Sequence, residues 1–289
     1  MSLNTVVKPT IFREYIGPMS CPGLHNFPDI INPEISEFHF ILAFATEDYG
    51  CDGRGTGKFQ ATWNVQDFST EKIKELKKEH KNAKVVISIG GRGVECPFNP
   101  IEKQKWIDNA KFSLKIIIQD YKDPCSCITV IDGIDINYEH IKSDDFVECI
   151  GEVIEYLKKD VLINVVSIAP SAPVLSQYKT LYKEQKCYIN WVDYQFYDQC
   201  LSSKCEFEKL YRDLSDVFKD KLLAGYSTDP NDKDNQISPE DFLKACEDLI
   251  KCQFLPGIFV WNANYSADDH PPFYFEKLAQ ELLTKCDKE

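Results

Sequence analysis

Eight short apolar runs, spread over the length of the chain, limit its fold more than any other feature. Most are rich in Val, Ile, Phe and Tyr and are almost continuously hydrophobic, as parallel strands buried on both faces are. The runs are Ile11–Ile16, Phe38–Phe44, Val85–Ile89, Gly133–Tyr138, Ile163–Ala169, Trp191–Phe196, Lys221–Gly225 and Gly257–Trp261. They predict a parallel sheet whose two faces are both covered.

Charged segments with helical periodicity separate these runs. They are Thr70–His80, Gln104–Ile118, Asp144–Leu157, Cys205–Phe218, Ser238–Ile250 and Pro272–Leu283. Thr70 is the predicted N-cap of the first segment, and Ser238-Pro239-Glu240 is a typical helix start. The alternation fits an open doubly wound sheet as well as a closed barrel. Eight nearly equal units in 289 residues favour the barrel, so we predict an α/β fold with a single (β/α)8 TIM barrel domain over residues 1–289.

The segment 46–69 is the most irregular part of the chain. Glycines stand at positions 50, 53, 55 and 57, between the second apolar run and the helical segment that follows it. The Lys-Ser/Thr pair of a P-loop and the spacing of a dinucleotide-binding turn are both missing. We therefore predict a plain loop here rather than a phosphate-binding turn.

The chain is strongly acidic, with 33 Lys and Arg against 46 Asp and Glu and a net charge of −13. Such a surface repels phosphate, so nucleic acid and anionic membranes are not expected partners. No stretch approaches the 18 apolar residues of a membrane span, and the first ten residues lack the apolar core of a signal peptide. These observations predict a cytoplasmic protein, and we also expect a monomer.

Twelve cysteines are scattered along the chain without a Cys-x-x-Cys pair or a histidine spacing suited to zinc. Disulfide scaffolds are usually small and secreted, whereas this chain is predicted to be neither. We therefore expect reduced thiols, no metal site and no cofactor.

Acidic and polar residues share one face of the fourth apolar run. Because strand residues alternate in direction, Asp135, Asn137 and Glu139 point to the same side. Acids on a buried strand must be paired, hydrogen-bonded or catalytic, so a structural network and a reactive site are both open. Gly90 and Gly91 end the third run and leave space beside the fourth for a ligand or a bulky group.

These two runs resemble the signature of glycoside hydrolase family 18, the chitinases and their relatives. The matching residues are Ser88-Ile-Gly90-Gly91 and Asp132-Gly-Ile-Asp135-Ile-Asn137-Tyr-Glu139. Further stretches are similar to the narbonin branch of that family, a group of legume proteins that includes the RuBisCO-associated proteins. They are Ile11–Gly17, Val165–Pro170, Tyr188–Phe196, Gly225–Pro230 and Leu255–Asn262. The resemblance covers essentially the whole chain and implies a (β/α)8 barrel.

The resemblance also implies roles for individual residues. Family 18 enzymes cleave β-1,4 bonds between N-acetylglucosamine units with help from the acetamido group of the substrate. By position, Glu139 is the proton donor, and Asn137 stands where the family has the carboxylate that orients the acetamido group and balances the oxazolinium charge. Asp135 is the inner partner that tunes this pair. Tyr197 matches the tyrosine that binds the acetamido oxygen.

Substrate contacts are implied for Asp132, Gln195 and Trp261, with Trp261 as the floor on which a sugar stacks. The alternative for Trp261 and for Tyr197 is that they only fill the barrel core, as buried aromatic residues commonly do.

Two features depart from a working family 18 site. Asn137 carries no charge with which to balance the oxazolinium. Arg92 shares strand parity with Ser88 and Gly90, and we hypothesise that it forms an ion pair with Glu139 that keeps the acid ionised and fills the space of a sugar ring. The alternative for Arg92 is a loop residue that faces solvent.

Three functions are consistent with these residues. The first is a catalytically degenerate chitinase-like barrel that serves as a storage or interaction protein, and the substitution at Asn137 favours it. The second is a weak or active hydrolase of oligosaccharides that contain N-acetylglucosamine. The third is a lectin that binds chitooligosaccharide without turnover. In each case the expected ligand, if any, is chitooligosaccharide or a related glycan.

Overall fold

Eight parallel strands close into a barrel in the computed structural model, which describes residues 10–17, 23–91 and 93–285. The strands of the sheet are β1 (Ile11–Ile16), β2 (Glu37–Tyr49), β3 (Gly55–Ala61), β4 (Ala83–Gly91), β5 (Gly133–Tyr138), β6 (Val165–Ile168), β7 (Trp191–Asp193), β8 (Leu222–Ser227) and β9 (Gly257–Trp261). All except β3 belong to the barrel, and the pairing of β1 with both β2 and β9 closes it. The predicted (β/α)8 barrel is confirmed.

Helices cover the outside of the barrel, where their apolar faces pack on the outward side chains of the strands. They are α1 (Thr70–Glu79), α2 (Lys103–Asp120), α3 (Phe146–Tyr156), α4 (Leu175–Gln185), α5 (Lys204–Phe218), α6 (Pro239–Lys251), α7 (Ala263–Ser266) and α8 (Tyr274–Lys285). The N-cap of α1 is Ser69 rather than Thr70, because the Ser69 hydroxyl accepts a hydrogen bond from the backbone N–H of Lys72. Ser238 caps α6 as predicted.

The predicted loop over residues 46–69 is wrong for much of its length. Strand β2 continues past the barrel, and β3 returns antiparallel to it, so the two form a hairpin. The carboxylate of Glu47 fixes the hairpin to its neighbours: it accepts hydrogen bonds from Gly57 N (2.7 Å), Trp106 Nε1 (2.6 Å) and Tyr138 Oη (3.0 Å). Burial raises the pKa of Glu47 to about 7.

Helix α2 covers the outer edge of β3. The Asn109 side chain donates to the carbonyl of Thr56 at 2.7 Å. The Ser113 hydroxyl accepts from Phe59 N at 3.1 Å and lies 3.3 Å from the carbonyl of Gly57. Side chains of α2 therefore form hydrogen bonds with backbone groups on the side of β3 that faces away from β2.

The inside of the barrel is divided into layers. Apolar side chains, which include Ile11, Ile41, Val86 and Leu223, form a packed layer in it. Polar side chains of the barrel strands, among them Ser88, Asp135 and Asp193, are also fully buried there. Residues two positions apart on a strand point to the same side. Each strand therefore places successive inward side chains in the barrel interior, one above the other, up to its carboxyl end.

The ten cysteines within the described residues all carry free thiols, and Cys149 and Cys246 are the buried ones. None of the helices that the structure describes combines the length and the apolar character needed to cross a bilayer.

Candidate active site

A cavity of about 170 Å³ opens at the carboxyl end of the barrel. Residues that follow or end four different strands line it: Gly93, Asn137, Glu139, Gln195, Tyr197, Asp198 and Trp261. Five of the site residues predicted from the sequence therefore meet at one place. In barrels of this kind the reactive groups are found at this end.

Asp135 lies beneath the cavity and is fully buried. Its neighbours in the strand register are Ser88 of β4 and Ser167 of β6, and both hydroxyls donate to its carboxylate at 2.7 Å. The Tyr15 hydroxyl donates to the same carboxylate at 3.0 Å. Three hydrogen bonds thus offset the cost of burying this polar group.

A second buried acid, Asp193, lies next to this network. Its carboxylate is 3.1 Å from Arg13 Nε and 3.3 Å from the Tyr15 hydroxyl. Arg13 also donates to Ser167 at 2.6 Å, so one buried cation serves both aspartates. Burial raises the pKa of Asp193 to about 7, although Arg13 opposes that shift. A hydroxyl has a single hydrogen, and a proton on Asp193 would let Tyr15 donate to Asp135 while it accepts from Asp193.

Asn137 points into the cavity and is almost fully buried. Its carbonyl oxygen accepts a hydrogen bond from Gln195 Nε2 at 3.2 Å, and Gln195 also donates to the carbonyl of Ala169 at 3.2 Å. Gly90 lies beside it with a φ of +102°, and a Cβ there would clash with the backbone oxygen of Asn137. A glycine is therefore required where β4 and β5 approach each other below the cavity.

Glu139 follows the last residue of β5 and is half-buried at the opening of the cavity. One of its carboxylate oxygens accepts a hydrogen bond from the backbone N–H of Gly93 at 3.2 Å. This contact joins the loop after β4 to the loop after β5. Arg92 lies outside the described residues, so its pairing with Glu139 stays a prediction.

Two aromatic residues complete the wall of the cavity. Tyr197 packs edge-on against Phe259, with ring centres 6.2 Å apart. Trp261 stacks on Phe44 at 5.8 Å and contacts Tyr15 at 5.4 Å. Both Tyr197 and Trp261 border the cavity while most of their surface is buried, so they pack in the barrel and also face its opening.

The structure does not bring Asp132 to this site, and the prediction that it contacts substrate is wrong. Asp132 precedes β5, at the amino end of the barrel, about 16 Å from Asn137 at the usual rise along a strand. Its carboxylate accepts from Val85 N at 2.7 Å and pairs with Lys77 at 2.6 Å. Asp132 therefore ties the start of β5 to β4 and α1.

Four residues in or beneath the cavity were not predicted from the sequence: Arg13, Tyr15, Asp193 and Asp198. Arg13 and Glu14 are charged residues inside the first apolar run, and a charge in a strand buried on both faces must have a partner. That signal could have identified Arg13. Its partners come from β6 and β7, and no pattern in one strand indicates which distant strand lies beside it.

Among the described residues, no group of three or more His, Cys, Asp and Glu side chains is arranged to hold a metal ion. The chemistry available to the cavity is that of carboxyl, amide, phenol and indole groups.

Comparison with known proteins agrees with this fold. The model of glycosyl hydrolases family 18 matches residues 36–206. Chitinase 1 of Tulipa saxatilis subsp. bakeri is 37% identical over 287 residues, which cover 94% of this chain and 87% of the tulip protein. The RuBisCO-associated protein of Glycine max is 32% identical over 194 residues, which cover 63% of each chain.

Among solved structures, the catalytic domain of a family GH18 chitinase from the fern Peteris ryukyuensis superposes with a TM-score of 0.83 at 34% identity. The match covers 96% of this chain and 100% of the fern domain. The region matched by the family model contains Asn137, Glu139, Gln195 and Tyr197, and the chain belongs to glycosyl hydrolase family 18.

Proposed function

We propose that this protein is a catalytically degenerate family 18 barrel that hydrolyses chitooligosaccharides only in trace amounts. The observation that carries the proposal is Asn137. It occupies the position two residues before Glu139, borders the cavity, and offers an amide where the family mechanism requires a negative charge.

The size of the effect follows from the charge that is missing. In the proposed mechanism Glu139 protonates the leaving oxygen, while the acetamido oxygen of the substrate attacks the anomeric carbon and forms a positively charged oxazolinium. The amide of Asn137 can hydrogen-bond the acetamido group, but it cannot balance that charge. Loss of such a group costs a few kcal/mol of barrier, or roughly two to three orders of magnitude in rate.

The cavity also supports a second function, the binding of chitooligosaccharide without turnover. Gln195, Tyr197 and Trp261 border the same cavity and together present an amide, a phenol and an indole ring. Polar groups around an aromatic floor are the usual composition of a small-ligand site. We propose that these three residues bind an N-acetylglucosamine unit, with Trp261 beneath the ring.

We propose that such a barrel serves as a storage or interaction protein. The similarity to the RuBisCO-associated protein of Glycine max supports the interaction role.

Turnover and binding should be measured on the same preparation with chitotetraose, and the tulip Chitinase 1 serves as the active reference. We expect product formation at least a hundredfold slower than the reference, together with saturable binding in calorimetry. Tyr197→Phe should weaken binding by about two- to tenfold, since one hydrogen bond is lost. Tyr274→Phe is the matched control, because Tyr274 is exposed on α8 and should have no effect.

Hydrolysis at a rate comparable to the tulip enzyme would overturn the degenerate assignment. Absence of chitotetraose binding, with slow turnover retained, would leave the degenerate assignment in place and exclude the lectin function.

A further inference from the structure

Three lysines gather at the amino end of the barrel, at the end opposite to the candidate active site. Lys84 and Lys221 have the same strand parity as Val86 and Leu223, which line the barrel interior. The Lys84 side chain therefore starts on the inward face of β4, and Lys221 directly precedes β8. Lys158 reaches the same end from the turn between α3 and β6.

Contacts with the segment before β7 hold two of these ammonium groups close together. Lys158 Nζ donates to the Asn164 carbonyl at 2.7 Å and lies 3.4 Å from Asn190 Oδ1. Lys221 Nζ donates at 2.6 Å to the carbonyls of Lys186 and Ile189. Ile189 and Asn190 are consecutive residues, so both lysines contact one short segment, Lys221 through the Ile189 carbonyl and Lys158 through the Asn190 side chain. All three lysines are half-buried.

Positive charge exceeds negative charge in this cluster. Glu37 pairs with Lys84 at 2.7 Å, and its other oxygen contacts His39 at 3.0 Å. Burial and the positive charges of Lys84 and Lys221 lower the pKa of Lys158. Burial likewise lowers the pKa of Lys221, although Asp220 acts against this shift. Lys84 is thus paired with a carboxylate, whereas the acceptors of Lys158 and Lys221 described above are neutral oxygens, which do not cancel their charges.

We propose that the lysine cluster formed by Lys84, Lys158 and Lys221 is a binding site for a small multivalent oxyanion of the phosphate class. An ammonium group has three N–H donors, and the contacts described use at most two of them on each lysine. A phosphate group offers several acceptor oxygens that can receive the remaining donors in charge-assisted hydrogen bonds. The net charge of −13 favours a small anion over a nucleic acid, because the acidic chain as a whole repels a long polyanion. The site is separate from the cavity to which we assign glycan binding.

Calorimetric titration of the full chain with pyrophosphate, at pH 7 and constant ionic strength, tests the proposal. We expect saturable binding of one anion per chain. Lys158→Met and Lys221→Met should each weaken binding about tenfold or more, as expected for the loss of a hydrogen bond between charged groups. Lys159→Met is the matched control and should bind like the wild type, because Lys159 is exposed and pairs with Glu155.

Two further measurements test whether binding depends on charge and whether the anion is free or part of a lipid. Lys158→Arg preserves the charge and should retain most of the affinity, so a loss in Lys158→Met that Lys158→Arg shares would contradict a charge-based site. Vesicles that contain phosphatidic acid distinguish a free anion from a lipid headgroup, and we expect no binding to them. Absence of saturable pyrophosphate binding to the wild type, or equal weakening by Lys159→Met, would overturn the proposal.

Discussion

Arg13 is the single cation in a buried group that contains two carboxylates, Asp135 and Asp193. A buried ion pair contributes little net stability, whereas one unpaired buried charge is costly. The free energy of unfolding therefore depends on Arg13 more strongly than the number of its hydrogen bonds would indicate.

Arg13→Met should lower the free energy of unfolding by about 3–5 kcal/mol, because Asp193 then loses its counter-charge in a dry interior. Urea denaturation at pH 8 measures the change. Arg13→Met combined with Asp193→Leu removes both charges and should recover part of the loss. If the two substitutions destabilise additively, Arg13 and Asp193 are not coupled.

The predicted Arg92–Glu139 pair leads to a second test at the level of residues. Asn137→Asp alone should not restore hydrolysis of chitotetraose, because an ionised Glu139 cannot donate a proton. Asn137→Asp combined with Arg92→Ala should give more activity than the two single substitutions predict. Full recovery in Asn137→Asp alone would show that Arg92 does not hold Glu139 in the ionised state.

How much of the site could be predicted differs from residue to residue. Asp135, Asn137 and Glu139 are spaced two positions apart along β5 and the residue after it, and strand alternation was sufficient to predict that they face the same side. Asp132 belongs to the same motif but lies at the other end of the strand. It was misplaced because the motif alone does not show at which strand end a residue lies. Arg13 required knowledge of partners more than 150 positions away in the sequence.

At the level of elements, the β2–β3 hairpin depends on how closely it packs on α2. Gly57 has a φ of +75°, and a Cβ there would clash with the carbonyl oxygen of Trp106, well inside van der Waals contact. No side chain can be accommodated between these two backbones without moving one of them.

Gly57→Ala should therefore reduce the free energy of unfolding by several kcal/mol or move the hairpin away from α2. Thermal unfolding followed by circular dichroism measures the loss. Gly53→Ala is the control: its φ is +71°, but nothing lies within 4 Å of the added Cβ, so only the backbone cost remains. Equal losses in the two variants would mean that the contact with Trp106 does not matter.

The elements that sequence periodicity predicted were those with long apolar runs or a clear capping residue. Helix α4 was missed because only Tyr178, Leu181 and Tyr182 are buried in it, among polar residues. Strand β3 was missed because its glycines at alternate positions are typical of a loop, whereas here they allow close packing on a helix. In both cases packing against another element determines the structure.

For the whole molecule, buried carboxyl groups determine how stability depends on pH. Burial raises the pKa of Glu47, Asp193 and Glu276 to about 7 and also raises that of Glu14. In the unfolded chain these groups titrate near pH 4, so the folded state holds more protons between about pH 4 and 7. Their contribution to stability is complete below that range and is lost as the pH rises through it.

We therefore expect the free energy of unfolding to be lower at pH 8 than at pH 6, as measured by urea denaturation. Glu47→Gln should reduce this dependence, since the amide keeps a hydrogen-bond acceptor but does not titrate. His39 acts in the opposite direction: burial lowers its pKa to about 3, so its contribution falls as the pH drops below about 6.5. A stability that rises from pH 6 to pH 8 would contradict this balance.

The covered edge of β3 affects how the protein aggregates in concentrated solutions. Closure of the barrel leaves its strands without free edges, but the hairpin adds a strand whose outer side has no strand partner in the described part of the chain. Such an edge invites strand addition from a second molecule and, from there, fibrous aggregation. Asn109 and Ser113 of α2 occupy the backbone groups that an incoming strand would need. These two helix side chains protect the edge of the extra strand. Copies of the protein can therefore pack densely against one another without joining into a continuous sheet.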